Sequence, residues 1–590
     1  MPVYSDTTAD PGPSGGVRLQ RASIPMRDGV RLNANVYTPR QGSRVPAVME
    51  ITPYNLDHTQ KDGLEFVAGG LAYVVIDVRG RGDSEGNFGS VAQDAFDGYD
   101  AIEWISQQPW CDGQVALYGG SYTGQNQWLM LGQRPPSLKA ASPAAAYAAA
   151  IDIPRGGVPN LYNYKWEAGV WGRTTYFQSA SFSGFWHPEI LERLNAGEPA
   201  WKAAEAFGID MNDDRLRFID QPAYGPVWAD SYSTDEQIAA IDVPVLTVSG
   251  THDDCLPGTL FHWDRFERLA SNEVRSLSHL VIGPWDHAGT DSGYNRVGDL
   301  QFGPAAQVNL KSMRIAWFRH IMLGEAKPDL LADRVTYYVA GVEQWRSEAT
   351  LEAATTGTVA RYLGSTEGPN DVFHSGWLTT EPAEGPDYTI TIDPADRRTI
   401  ELELLPRPGM APDNALFAPS YNSVLMMQGG NDPTNAVFTV SLDGEGLVYH
   451  SPPLKEALTI VGSPSLSVRI IPDSDDADLS LQLHEVRPSG DAIFMSSDLI
   501  RLSHRVLGGE PQLLVPGEEQ TVTITEFRWC ARQLGVGSRL RLTVRAVNSA
   551  LMPADPHATG EKGVTTIRVL HRASDPSVLT IPLGESSLNP

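Results

Sequence analysis

The stretch VALYGGSYTGQNQWLM, Val115–Met130, decides how the chain is read. Val115–Tyr118 has the pattern of a short apolar strand. Gly119 and Gly120 follow, then Ser121, then a segment of helical character. An α/β sheet presents a nucleophilic serine on such a strand-to-helix turn. The usual signature is Gly-x-Ser-x-Gly, but here Thr123 holds the last position and Gly124 stands one place later. A lone serine between strand and helix is more often an N-cap or turn residue. The surroundings therefore have to decide.

Upstream, Val17–Pro39 reads as a hairpin turning at Asp28–Gly29. VPAVMEITPY is a strand ending near Tyr54, and AYVVIDVRG is a nearly all-apolar one. Such a run suits a strand covered by helices on both faces. VAQDAFDGYDAIEWISQ places Ala95, Tyr99, Ile102 and Ile105 at helical spacing. Downstream, VPVLTVSG, TLFHWDRFERL, SHLVIGPW and VNLKSMRIAWFRHIML resume the alternation of strand and helix. Alternation of this kind predicts a mostly parallel sheet.

The intervening residues 151–240 have few strand runs and carry Tyr162, Tyr164, Trp166, Trp171, Phe177 and Trp186. They are expected to form a mostly helical cap, whose aromatics serve equally well as packing or as pocket wall. The chain turns strand-rich between about residues 330 and 360. RVTYYVAG, YTITI, RTIELEL, SLSVRIIP, LSLQLHEV, EQTVTITEFR, RLRLTVRAV and VTTIRVL are short and mostly alternating, with Gly, Pro and Asp between them. That pattern predicts an antiparallel sandwich or jelly roll. The expected architecture is an α/β-hydrolase core (residues 1–150 and 241–350), a helical cap insertion (151–240) and a C-terminal β-sandwich, or jelly-roll, domain (351–590).

Two further strand ends supply polar groups. PVLTVSGTHDD ends in His252, Asp253 and Asp254, and LVIGPWDH ends in Asp286 and His287. Side chains just beyond the carboxyl ends of parallel strands converge on one crevice. Serine, then acid, then histidine is the chain order of an α/β-hydrolase. Asp253 and Asp254 both remain open as the acid on this reading, as does Asp286 beside the histidine, and His252 reads as a hydrogen-bonding group in the pocket or equally as an exposed loop histidine.

Composition narrows the classes. The 590 residues imply about two to four domains. A formal net charge of −27, with no basic block, argues against a nucleic-acid partner. Cys111, Cys255 and Cys530 are too dispersed for a disulfide framework or a thiolate metal site. The N-terminal stretch lacks a signal-peptide pattern, and no run approaches the ~20 apolar residues of a membrane span. Cytoplasmic residence without membrane partners is expected. RGRGDSEG lacks the phosphate-loop ending and reads as a structural turn. DSDDAD, Asp473–Asp478, lacks the oxygen ligand and glycine of a calcium loop and reads as a solvated acidic turn. No cofactor or metal is expected. Self-association is compatible with the aromatic content, but the sequence fixes no symmetry for a homo-oligomer.

Several motifs together resemble the bacterial cocaine-esterase / X-prolyl dipeptidyl-peptidase family of serine hydrolases. They are PMRDGVRL (Pro25–Leu32), DVRGRGDSEGNF (Asp77–Phe88), WCDGQVALYGGSYTG (Trp110–Gly124), GPWDH ending at His287, and SPPL (Ser451–Leu454). In that family the elbow is commonly Gly-x-Ser-Tyr-x-Gly, which Gly119–Gly124 matches. The resemblance implies Ser121 as nucleophile, Asp253 as orienting acid and His287 as base. It implies the Tyr122 N–H and the Tyr54 hydroxyl as oxyanion donors. The expected activity is ester hydrolysis of a small molecule through an acyl-enzyme. Amide-directed acylase, α-amino-acid ester hydrolase and X-prolyl dipeptidyl aminopeptidase are the enzymatic alternatives. A ligand-binding protein with a degenerate hydrolase core is the non-enzymatic one.

Overall fold

Strand β4, Ala72–Asp77, is buried at every position and pairs on both sides, antiparallel to β2 (Arg31–Pro39) and parallel to β3 (Val45–Thr52). The computed structural model that gives this arrangement describes residues 16–40, 44–89, 91–158, 224–298, 300–396, 446–525, 527–547 and 563–585. It adds isolated positions at Trp166, Val170, Glu192, Arg193, Ala196, Glu198 and Lys202. Strand β1, Val17–Pro25, pairs antiparallel with β2 across a turn in which Gly29 has φ +89°. The chain then alternates through α1 (Gln60–Ala68), α2 (Ala92–Ser106), β5 (Cys111–Gly120), α3 (Tyr122–Gln133) and β6 (Leu138–Ala144). It resumes with β7 (Leu246–His252), α4 (Leu256–Leu269), β8 (His279–Asp286) and α5 (Leu310–Leu323). Strands β9 (Val335–Val339) and β10 (Gln344–Glu348) complete a ten-stranded sheet of order β1-β2-β4-β3-β5-β6-β7-β8-β9-β10. Every pair from β4 through β9 in that order is parallel.

Strand β6 has no counterpart in the sequence reading. Its small residues, LKAASPA, have weak strand propensity, yet they let the turn that carries Ser121 lie close against it. RVTYYVAG, read with the strand-rich run but inside the expected core bounds of 241–350, belongs to the core: β9 pairs parallel with β8 and extends the first sheet. All five of its positions are buried, as expected of a strand covered on both faces. The strand Ser465–Pro472 instead alternates between buried and half-buried positions, the mark of one buried face.

The β-rich domain runs from Gly357 to Leu583 and holds thirteen described strands. They are antiparallel except where Gly376–Trp377 meets Tyr449–His450. Its core gathers Leu466, Val468 and Ile470 with Ile567, Val569 and Leu579. The domains share apolar surface: Trp529 and Ala531 lie in the same core cluster as Tyr337 of β9. Most of the expected helical cap, and the RTIELEL stretch, lie outside the described residues. Among the described residues no helix is long and apolar enough to cross a membrane, and Cys111, Cys255 and Cys530 are free and buried.

Candidate active site

Ser121 stands between β5 and α3 with φ +63° and ψ −123°. Such a backbone costs on the order of 1–3 kcal/mol for a residue with a Cβ and persists only when its surroundings impose it. They do so here: the Ser121 N–H donates to the Ala144 carbonyl at 3.0 Å, and the Gly124 and Gln125 N–H groups both donate to the Ser121 carbonyl at 2.9 Å.

The glycines around it differ in purpose. Gly119 has φ +144°, and a Cβ there would lie 2.2 Å from Thr123 Oγ1. A Cβ on Gly124 would lie 2.4 Å from the Ala144 carbonyl oxygen, whereas one on Gly120 would make only ordinary contacts. The displaced glycine of the motif is thus the point where α3 meets β6. Gly124→Ala should cost about 1–3 kcal/mol of stability and lower activity by tilting α3. Thermal unfolding beside an ester assay checks this, and a variant matching the unmodified protein in both would refute it.

Tyr54, just past β3, donates its hydroxyl to Ser121 Oγ at 3.4 Å. Its hydroxyl also interacts with the Tyr122 backbone N–H and with Trp166. Burial dominates and raises the Tyr54 pKa, so the group remains a protonated donor at neutral pH. The Arg79–Glu85 turn braces this tyrosine. Buried Arg81 donates from Nε to the Pro53 carbonyl at 2.9 Å, and Ser84 donates to the Asp77 carbonyl at 2.7 Å. Trp166 stacks on Tyr122 at 5.9 Å and meets Tyr54 edge-on at 6.4 Å. On the other side, the Tyr122 side chain lines a cavity of about 370 Å³ together with Phe88, Asp94, Phe96 and Asp230.

On the histidine side, His287 Nδ1 lies 2.9 Å from Asp253 Oδ1 and 3.3 Å from Asp254 Oδ1. Asp253 is fully buried, and its carboxylate accepts from Ser249 Oγ at 2.7 Å and the Cys255 N–H at 3.0 Å. Burial opposes charging of the imidazole, but Cys255, Asp254 and Asp253 outweigh it and hold the His287 pKa well above the ordinary value. Burial also pushes the Cys255 thiol well up, so the aspartates carry the effective negative charge. Asp254 would itself be raised by burial, yet His287 and then Arg528 keep it below the ordinary carboxylate value. Ser121 and His287 are not hydrogen-bonded to each other; such contacts are often long before substrate binds.

Other sequence expectations change. His252 is buried rather than an exposed loop histidine, and burial lowers its pKa to about 3. Asp286 accepts from the Tyr294 hydroxyl and from the Gly289 N–H, a structural turn. The acidic turn is mostly engaged rather than solvated. Arg501 pairs with Asp478 at 2.9 Å, and the Ser503 N–H donates to Asp476 at 2.9 Å. Asp253, Asp254, Cys255 and His287 bring donor atoms within 4.8 Å of one another, a metal-capable grouping in principle. The His287–Asp253 contact already gives that proximity a metal-independent explanation.

Comparisons with known proteins agree with this frame. Residues 28–289 match the X-Pro dipeptidyl-peptidase (S15 family) and residues 331–580 its C-terminal non-catalytic domain. A Mycobacterium bovis protein named as a serine esterase is 31% identical over 84% of this chain and 82% of its own. The chain belongs to the S15/cocaine-esterase-like family of serine hydrolases. A cocaine esterase of Rhodococcus sp. (strain MB1 Bresler) is a further family member, 26% identical over 95% of this chain and 97% of its own. An α-amino acid ester hydrolase structure superposes with TM-score 0.79 at 21% identity, covering 98% of each chain, a likeness of fold. This family member is therefore an enzyme acting on small substrates by serine-hydrolase chemistry.

Proposed function

We propose that this serine hydrolase cleaves small carboxylic esters in two acyl-transfer steps carried by Ser121, His287, Asp253, Tyr54 and Tyr122. The observation that carries the proposal is the Tyr54 hydroxyl lying 3.4 Å from a serine Oγ held on a strained turn. Such a donor is placed to meet negative charge as it develops on the attacked carbonyl oxygen.

Ser121 Oγ attacks the ester carbonyl and gives its proton to His287 Nε2, while Asp253 holds Nδ1–H. The oxyanion receives the Tyr54 O–H and the Tyr122 N–H. Collapse expels the alcohol, protonated by His287, and the same histidine then activates water to release the acid.

An ester is favoured over an amide on two grounds. Two relatives are named as esterases. Cys255 and Leu256 follow Asp254, leaving no run of acidic side chains there to hold a substrate ammonium. Matched ester, amide and Xaa-Pro amide substrates, assayed beside Ser121→Ala, test this. Faster turnover of the Xaa-Pro amide would replace the ester reading with the aminopeptidase one. The three buried free thiols are in keeping with a reducing, cytoplasmic setting.

Tyr54→Phe should lower kcat by about 10²–10³-fold, the usual effect of losing one oxyanion donor, with KM little changed. Steady-state kinetics decide, and an unaltered kcat would remove Tyr54 from the mechanism.

A further inference from the structure

The catalytic-acid loop is held from behind by the other domain. Arg528 Nη1 donates to the backbone carbonyl of Asp253 at 2.9 Å, across 275 residues of sequence. Arg528 is 1% exposed and belongs to the segment matched by the family's C-terminal non-catalytic domain. Its own backbone is fixed: its N–H donates to the Ser497 carbonyl at 2.9 Å, and its carbonyl accepts from Ser496 Oγ. The next residue, Trp529, packs edge-on against Tyr337 of β9 at 5.7 Å. The arginine is thus delivered by a packed interface and not by a loose loop.

The charges around it are unbalanced toward the negative. Asp253 and Asp254 bear on the guanidinium as opposite charges and Arg155 as a like one, while Asp152, which burial pushes up to about 7, adds negative charge only in part at neutral pH. Arg155 is already paired with Asp498 at 3.1 Å. His252 is the neutral neighbour, with Arg532 beyond it. Burial lowers the Arg528 pKa to about 10, which leaves it cationic at neutral pH. Its field reaches Asp254, whose carboxylate in turn faces His287.

We propose that Arg528 is a positioning residue for the catalytic acid, fixing the Asp253 backbone and balancing the Asp253 and Asp254 carboxylates behind His287. This rests on the assignment of Asp253 and His287 to the reaction. It makes the β-rich domain part of the active-site scaffold and not an appendage.

The consequence is electrostatic as well as geometric. The groups that bear on the imidazole are Asp253, Asp254 and Cys255 from the loop after β7, Asp286 at the end of β8, Tyr294 beyond it, and Tyr54 from the opposite side. Removing a nearby positive charge leaves the negative charge of the aspartates less compensated and takes a cation away from the imidazolium, so His287 holds its proton to higher pH.

The test is a pH profile of kcat for Arg528→Met and Arg528→Lys, with folding checked by near-UV circular dichroism. Methionine should lower kcat by up to about 100-fold and move the acidic limb to higher pH, with KM little changed. Lysine should leave the limb in place and recover part of kcat. If the methionine variant does not fold, Arg528→Gln replaces it against lysine, with the same expected displacement of the limb. A folded neutral variant with an unmoved limb overturns the proposal, whether or not kcat has fallen. So does a lysine variant that behaves like the neutral one. Asp253→Asn assayed in parallel separates the two levels. Full activity there would defeat the triad, whereas an inactive Asp253→Asn beside an unaffected Arg528→Met would defeat only the role of Arg528.

Discussion

Ser121→Ala is expected to lower kcat by on the order of 10⁶-fold and to abolish labelling by a serine-directed fluorescent phosphonate. The covalent step needs an oxygen nucleophile at the one position where β5, the Ala144 carbonyl and the start of α3 fix the geometry. Alanine keeps the Cβ and therefore inherits the φ of +63°, so the fold should survive with little change in thermal unfolding. Tyr54 and the Tyr122 N–H remain in place in the variant, which leaves substrate binding and a residual rate above that in water. Active-site titration and single-turnover kinetics measure the loss. Substantial hydrolysis by the purified variant, with no trace of contaminating enzyme, would place the nucleophile elsewhere.

The reach of sequence reasoning here has a physical boundary. Strand β4 is a nearly continuous apolar run, and α2 carries its buried Ala95, Ile102 and Ile105 at helical spacing. Local pattern therefore sufficed for the core, and the polar residues ending β7 and β8 stood out against it. Strand β6 did not, because LKAASPA owes its conformation to neighbours on both sides rather than to propensity. The partners of Tyr54 were equally hidden: Arg81 reaches Pro53 across 28 residues. Arg528 is the extreme case. In EQTVTITEFR it looks like the polar end of a solvated strand, and only the packing of two domains turns it toward Asp253. The acidic turn misled for the same reason, since Arg501 and Ser503 approach it from another strand and its following turn. Gly124 shows the reverse. Its spacing was visible in the sequence, but the cause, contact with Ala144, became visible only in three dimensions.

The adjacent aspartates provide the sharpest contrast. Asp253→Asn should reduce kcat by about 10⁴-fold, because the amide presents a donor to His287 Nδ1 and favours the wrong tautomer. Asp254→Asn should keep most of kcat, since its carboxylate lies farther from the imidazole, at 3.3 Å against 2.9 Å. Its effect should appear in the pH profile instead. The imidazole must be neutral to accept the serine proton, so activity is lost as pH falls through its raised pKa. Removing the Asp254 charge withdraws part of what favours imidazolium, and the acidic limb should move to lower pH. That direction is opposite to the one expected for neutralising Arg528, so the two variants report the same field with opposite sign. Asp254→Asn as the inactive member of the pair, with Asp253→Asn retaining most activity, would exchange their roles. Loss of activity in both would mean that the carboxylates act as a unit, with neither serving alone as the orienting acid.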